Sequence, residues 1–341
     1  SQIALAGDSV YVNTSSLRYR TSAQIKDNNI AGNLSYGQKL ERVGTSGQWT
    51  MILLNGKKYY VSSAYVTSKK PASAGAVQTT SQTAAGAQTS GGTAIALSSN
   101  YKYANYSKIN SGTASLYRST ASNKKNKVVC VNAGHGTNGG GSVKTQCHPD
   151  GSAKVTGGTT GAGATSAVAV SSGMTFADGT AESKVTLAMA KVLKTKLLNA
   201  GYDVLMIRES DDVQLDNIAR TVIANNNADC HIALHWDSTS SNKGAFFMSV
   251  PSNATYRAME PVASHWKQHN QLGESLISGL KSAGVKIYSK GSMEMDLTQT
   301  SYSTIPSVDI ELGDKASDHS GATLETLANG LLAGVNTFFG Q

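Results

Sequence analysis

The chain has 341 residues and a formal net charge of +8, a length that suits two domains and a linker better than one core. No stretch approaches the roughly 20 apolar residues that would span a bilayer. Three cysteines, an odd number in a chain this long, argue against a disulfide framework.

The charge is unevenly placed. Residues 1–70 carry +6, residues 101–127 carry a further +6 with no acidic residue, and residues 128–341 carry −4. A basic part joined to an acidic one suggests a polyanionic surface as partner. Low charge with abundant Gly, Ser, Thr and Asn, and a start at Ser1 without an apolar leader, are expected of a mature or trimmed secreted form.

In chain order, residues 8–67 show short β-like runs: Val10–Val12, Gln38–Val43 and Trp49–Leu54. Asn55-Gly56 follows as a hairpin signal and Lys57–Val61 as its return strand. The expectation is a small all-β barrel over residues 1–70. Residues 71–100 hold no charge and read as a flexible linker, with ends about 30 Å apart if it is a random coil. Residues 101–127 are basic with scattered tyrosines and no period, and receive no element.

From Val128 strands and helices alternate. Strands are expected at Val128–Ala133, Asp203–Arg208, Cys230–His235 and Ser307–Leu312, and helices at 181–199, 215–224, 261–283 and 322–339. Such alternation predicts an α/β domain over residues 128–341, a mainly parallel sheet flanked by helices.

Two of these strands run into histidines, His135 and His235, so both imidazoles can meet at the carboxyl edge of one sheet, where open α/β sheets place ligands. His135 lies between Gly134 and Gly136, which allow close backbone approach to a ligand. Glu182 sits on the apolar stripe of its helix with Val185 and Met189, turning a carboxylate toward the sheet, although an acidic residue is also favourable in any first helical turn. His231 rivals His235 on the same strand face, and the open strand end favours His235. Two histidines and a glutamate with one free position match a catalytic zinc site. Glu311, closing a later strand, suits a proton carrier, with Asp309 as its rival two residues earlier.

The blocks Asn132-Ala-Gly-His135-Gly136, Glu182 opening its helix, Leu234-His235-Trp-Asp-Ser238 followed by Gly244, and Pro306-Ser-Val-Asp-Ile-Glu311-Leu-Gly313 resemble, in order, the signatures of zinc-dependent N-acetylmuramoyl-L-alanine amidases. The resemblance covers residues 128–340. It implies Zn2+ as cofactor held by His135, Glu182 and His235, and Glu311 as the catalytic glutamate. It also implies hydrolysis of the amide between the lactyl group of muramic acid and L-alanine in peptidoglycan, outside the cell at the wall. Residues 8–67, with Leu17-Arg18 early and Tyr60–Val66 late, resemble bacterial Src-homology-3-like modules that bind peptidoglycan, and their charge makes anionic wall polymers eligible partners.

Two other functional classes stay open: another zinc hydrolase of wall fragments, such as a carboxypeptidase or deacetylase, and a catalytically silent wall-binding protein. Nucleic acid is not expected, because the basic residues lack a reading helix or basic-aromatic stripe. The chain departs from the family in a long Gly-, Thr- and Ser-rich insertion, residues 136–181, expected to shape substrate recognition as a lid or groove wall. Cys147 and His148 within it are candidates for a second metal site. Cys130 and Cys230 each lie five residues before a proposed ligand. They are expected at one height and on one face, within reach of a disulfide if their strands are neighbours, or as two buried thiols.

Overall fold

The structure, a computed structural model, describes residues 8–14, 16–71 and 91–341. The chain divides into two compact units.

The first unit holds an antiparallel sheet of seven strands. They are β1 (Asp8–Val12), β2 (Ser16–Arg20), β3 (Ile30–Ser35), β4 (Lys39–Ser46), β5 (Trp49–Leu54), β6 (Lys57–Ser62) and β7 (Val66–Thr67), in the order β3-β2-β6-β5-β4-β1-β7. Alternating apolar residues Val10, Val12, Leu17, Leu34, Leu40, Ile52 and Val61 pack into its core. Asn55 and Gly56 both take positive φ, 52° and 75°, as the turn between β5 and β6 requires.

The second unit is built on an eight-stranded mixed sheet. Its elements run β8 (Thr93–Ala96), β9 (Thr113–Tyr117), β10 (Val128–Ala133), a small ladder of β11 (Lys144–Gln146) and β12 (Ser166–Val168), α1 (Glu182–Ala200), β13 (Asp203–Met206) and α2 (Asn217–Asn227). They continue with β14 (Cys230–Asp237), β15 (Ala245–Ser249), α3 (Ala254–Ala258), α4 (Val262–Ser282), β16 (Ile287–Glu294), α5 (Thr298–Tyr302), β17 (Ser307–Asp314) and α6 (Gly321–Phe339), the last belonging to this unit from Thr326 onward. The strand order is β16-β15-β17-β14-β10-β13-β9-β8. The centre, β17-β14-β10-β13, is parallel, and antiparallel pairings join it to β15 on one side and β9 on the other. The sheet is therefore mixed, not mainly parallel throughout. The central strands, and β16 beside β15, are reached through helical connections, as parallel pairing requires.

Right-handed crossovers explain the layering. The chain moves one way from β10 to β13 through α1 and back the other way to β14 through α2, so α1 and α2 cover opposite faces. On the α2 side Cys130, Leu205, Ala219 and Ile223 share one cluster.

Two expectations are corrected. Residues 72–90 of the expected linker lie outside the described residues, but its end, Thr93–Ala96, is a strand paired with β9. Beside it, the segment given no element is part of this unit. Its Tyr103 and Tyr106 rings pack on Tyr302, and Asp216 accepts hydrogen bonds from Ser107 Oγ and from the amides of Lys108 and Ile109. Basic residues hid these tyrosine anchors from a periodicity reading. The second correction concerns the cysteines. Cys130 pairs across from His231 and Cys230 from Val129, so they face opposite sides of the sheet. All three cysteines are free and buried. Counting back five residues fails because β10 stops at Ala133 and the chain turns before His135, whereas β14 runs straight through His235.

Candidate metal centre

His135, Glu182 and His235 meet at the carboxyl edge of β10 and β14, and their donor atoms lie within 4.8 Å of one another. They are the one such group of three or more among the described residues. His135 Nε2 stands 2.8 Å from Glu182 Oε2 and 3.1 Å from His235 Nδ1, and His235 Nδ1 is 3.5 Å from Glu182 Oε1. The rings are perpendicular, with centroids 4.7 Å apart.

Local structure explains each position. His135 sits past the strand end with φ +64°, a left-handed conformation that costs a non-glycine residue about 1 kcal/mol or more. Two buried arginines hold that turn by its carbonyls. Arg208 donates to Ala133 O and Gly134 O, and Arg220 donates to Asn132 Oδ1, Ala133 O and His135 O. Glu182, 3% exposed, opens α1 but does not cap it. Its two oxygens accept from Met174 N–H and Trp236 N–H at 3.0 and 2.9 Å, which leaves lone pairs free toward the imidazoles.

The insertion supplies part of this support. Ser171 O lies 2.8 Å from His135 Nδ1, which places the proton on Nδ1 and the lone pair on Nε2. Gly173 has φ +82°, and a Cβ there would sit 2.8 Å from Glu182 Oε2 and from His135 Cδ2. Further along, His148 does not join a metal group. It lies 2.8 Å from Asp296 Oδ2 with both side chains 1% exposed, and Tyr302 donates to Gln146 O. These contacts moor the insertion to the segment around α5.

Asp309 and Glu311 occupy successive rungs of β17 opposite Ala233 and His235, both turned to the His235 side of the sheet. Asp309 Oδ2 is 3.4 Å from His235 Nε2. Asp309 Oδ1 and Glu311 Oε2 are buried without a hydrogen-bond partner. Burial, then the Asp309 charge, pushes the Glu311 carboxyl well above its usual range. Burial works against charge on Glu182, yet the imidazoles of His135 and His235 beside it hold its carboxyl well below the usual range. Burial also opposes protonation of His235, but the carboxylates around it, Asp309 first, push it up to about 10. The pocket thus favours positive charge at the meeting point of the three donors. Two imidazoles and a carboxylate, each with its outer atoms already engaged, suit a transition-metal cation such as zinc.

His231, the rival ligand, is buried under α2 beside Asn132 Nδ2 at 3.1 Å and takes no part. Sequence reading missed the backbone donors Met174 and Trp236, which no side-chain pattern reveals, and the two arginines. Arg220 did leave a trace, as a lone cation among Ile218, Ala219, Val222 and Ile223 on a short helix.

Residues 129–329 match the model of the N-acetylmuramoyl-L-alanine amidase family. The fold is similar to that of the N-acetylmuramyl-L-alanine amidase Ami1 from Mycobacterium smegmatis, at 18% identity and TM-score 0.52, covering 64% of this chain and 99% of that one. Ami1 from Mycobacterium abscessus also aligns, at 20% identity and TM-score 0.46 over 62% and 98% of the two chains. An N-acetylmuramoyl-L-alanine amidase from Clostridium difficile aligns at 18% identity and TM-score 0.45 over 63% and 97%. No curated protein matches the chain. With well over half of its residues matched by the family model, the chain belongs to the N-acetylmuramoyl-L-alanine amidase family, hydrolases of peptidoglycan.

Proposed function

We propose that the protein is a zinc-dependent amidase that hydrolyses the bond between the lactyl group of N-acetylmuramic acid and L-alanine. The observation that carries this reading is the meeting of His135, Glu182 and His235 donors within 4.8 Å, with Glu311 across from His235 on the neighbouring strand. In this reading those three residues would hold Zn2+. Zinc in such a site supplies Lewis acidity toward a carbonyl oxygen and toward water. Glu311 takes the proton of the attacking water and delivers it to the departing L-alanine nitrogen. A carboxyl held above its usual range by burial suits that return step.

The amino-terminal sheet is proposed to be a Src-homology-3-like barrel that binds wall. Its +6 charge over residues 1–70 favours anionic polymers. The linker is proposed to end before Thr93, where the catalytic unit begins, and the protein to act outside the cell at the wall. The part of the insertion beyond its moorings is proposed to line the substrate groove.

Incubating the full chain with purified peptidoglycan and identifying released fragments by mass spectrometry tests the reading. Stem peptides with a free amino-terminal L-alanine, lost with a chelator and restored by zinc, are expected. Release of carboxyl-terminal amino acids or of acetate instead would point to a carboxypeptidase or a deacetylase.

A further inference from the structure

A carboxylate in the middle of Val308, Ile310 and Leu312 is out of place unless it has a task. Burying a charged group is costly without a partner, and Asp309 Oδ1 has none. Its other oxygen stands 3.4 Å from His235 Nε2. On the far side of the same ring, Nδ1 faces His135 Nε2 at 3.1 Å and Glu182 Oε1 at 3.5 Å. The two nitrogens of His235 therefore have separate surroundings. Nδ1 looks into the donor cluster and Nε2 looks at a carboxylate.

His135 is arranged the other way round. Its Nε2 enters the cluster and its Nδ1 lies 2.8 Å from the neutral carbonyl of Ser171. Each imidazole thus has one nitrogen in the cluster and one on an outer acceptor, but only His235 has an anionic acceptor. Glu311, the next rung on β17, lies across from His235, yet of these two carboxylates it is Asp309 that stands within ion-pair distance of Nε2.

We infer that Asp309 is a positioning residue, whose carboxylate keeps the proton of His235 on Nε2 and so presents Nδ1 as the metal-binding atom. This rests on the zinc reading of the cluster. A carboxylate behind a ligating imidazole fixes its tautomer and raises its basicity, and loss of such a partner typically weakens metal binding 10–100-fold. Asp309 thereby acts on the metal through His235, while Glu311 is left to handle the substrate's proton.

The experiment measures zinc affinity by competition with a chelator, and the visible spectrum of the cobalt-substituted protein, for wild type, Asp309→Leu and Asp309→Asn. Asp309→Leu is expected to bind zinc about 10–100-fold more weakly and to shift the cobalt bands. Asp309→Asn, which keeps an oxygen acceptor without the charge, is expected to fall between it and wild type. Wild-type affinity and an unshifted cobalt spectrum in Asp309→Leu would overturn the inference. Should Asp309→Leu fail to fold, Asp309→Asn decides alone. Weaker zinc binding at an unchanged thermal midpoint supports the assignment, and wild-type affinity overturns it. A wild-type chain that takes up no zinc would instead overturn the proposed function, a failure visible before any variant is compared.

Discussion

Replacing Arg220 with methionine removes a fully buried guanidinium that makes five hydrogen bonds. These go to Leu215 O, Asn132 Oδ1, Ala133 O, His135 O and Thr137 Oγ1, at 2.8–3.2 Å. Asn132 Oδ1 and His135 O lose the donor that faces them. Of the other three, Ala133 O keeps Arg208 Nε at 3.0 Å, and the Thr137 hydroxyl, still hydrogen-bonded as a donor, lies 2.7 Å from Val213 O and 3.1 Å from Leu215 O and can serve either. Two orphaned buried acceptors cost about 1–3 kcal/mol each, offset in part because a buried cation is no longer desolvated, so the net loss is about 1–5 kcal/mol. Urea unfolding of the metal-free protein at neutral pH reads this directly. The same variant is expected to bind zinc more weakly, because His135 depends on that turn for its left-handed conformation. Arg220→Lys, with three donors and no planar fork, is expected to recover part of both losses. A destabilisation below about 1 kcal/mol, within reach of an ordinary substitution, together with unchanged zinc affinity, would refute the clamp.

Glu311→Gln is expected to retain zinc, measured by elemental analysis, and to lose about 10²–10⁴-fold in hydrolysis of soluble muropeptides, the usual share of a general acid-base residue. His135→Ala and His235→Ala are expected to come through purification without metal. Gly173→Ala combines a strained positive φ with a Cβ pressed on Glu182 and His135, so it should weaken zinc binding while the far-ultraviolet dichroism stays wild-type. Stability should also fall with acidification. Burial pushes His231 and His269 down to about 3, whereas in the unfolded chain each binds a proton near pH 6.5. The unfolded state therefore binds more protons as pH drops from about 6.5 toward 3, and the loss approaches about 2.7 kcal/mol per pH unit for the pair. The raised Glu311 and Asp309 carboxyls take up protons first in the folded state and offset part of this loss, so the check is a smaller fall of the urea midpoint between pH 7 and 5 in His269→Gln than in wild type, and equal falls would contradict it.

The central strands were legible because each is a short apolar run ending at a polar edge, and Val128–Ala133, Cys230–Asp237 and Ser307–Asp314 appear where alternation places them. The ligand cluster was legible for the same reason: strand ends and a first helical turn are points that the fold brings together. What stayed hidden depends on contacts remote in sequence. Edge strand β16, Ile287–Glu294, has no clean alternation because much of it is exposed. The segment from Thr93 to Tyr117 is held by tyrosine rings and by Asp216, partners more than a hundred residues away. The left-handed turn at His135 could not be read from residue types, and it alone misplaced Cys130 relative to Cys230. The role of the insertion's end, which lends Ser171 O and Met174 N to two of the three clustered side chains, is likewise a matter of chain return.

The most direct test of the central claim is the fragment analysis of peptidoglycan digested by metal-free protein, with and without one equivalent of zinc. The account predicts that zinc alone restores release of stem peptides beginning with free L-alanine, and that His235→Ala prevents the restoration. Equal release by the rigorously metal-free protein, or a zinc-restored product cut at any other bond, would contradict it.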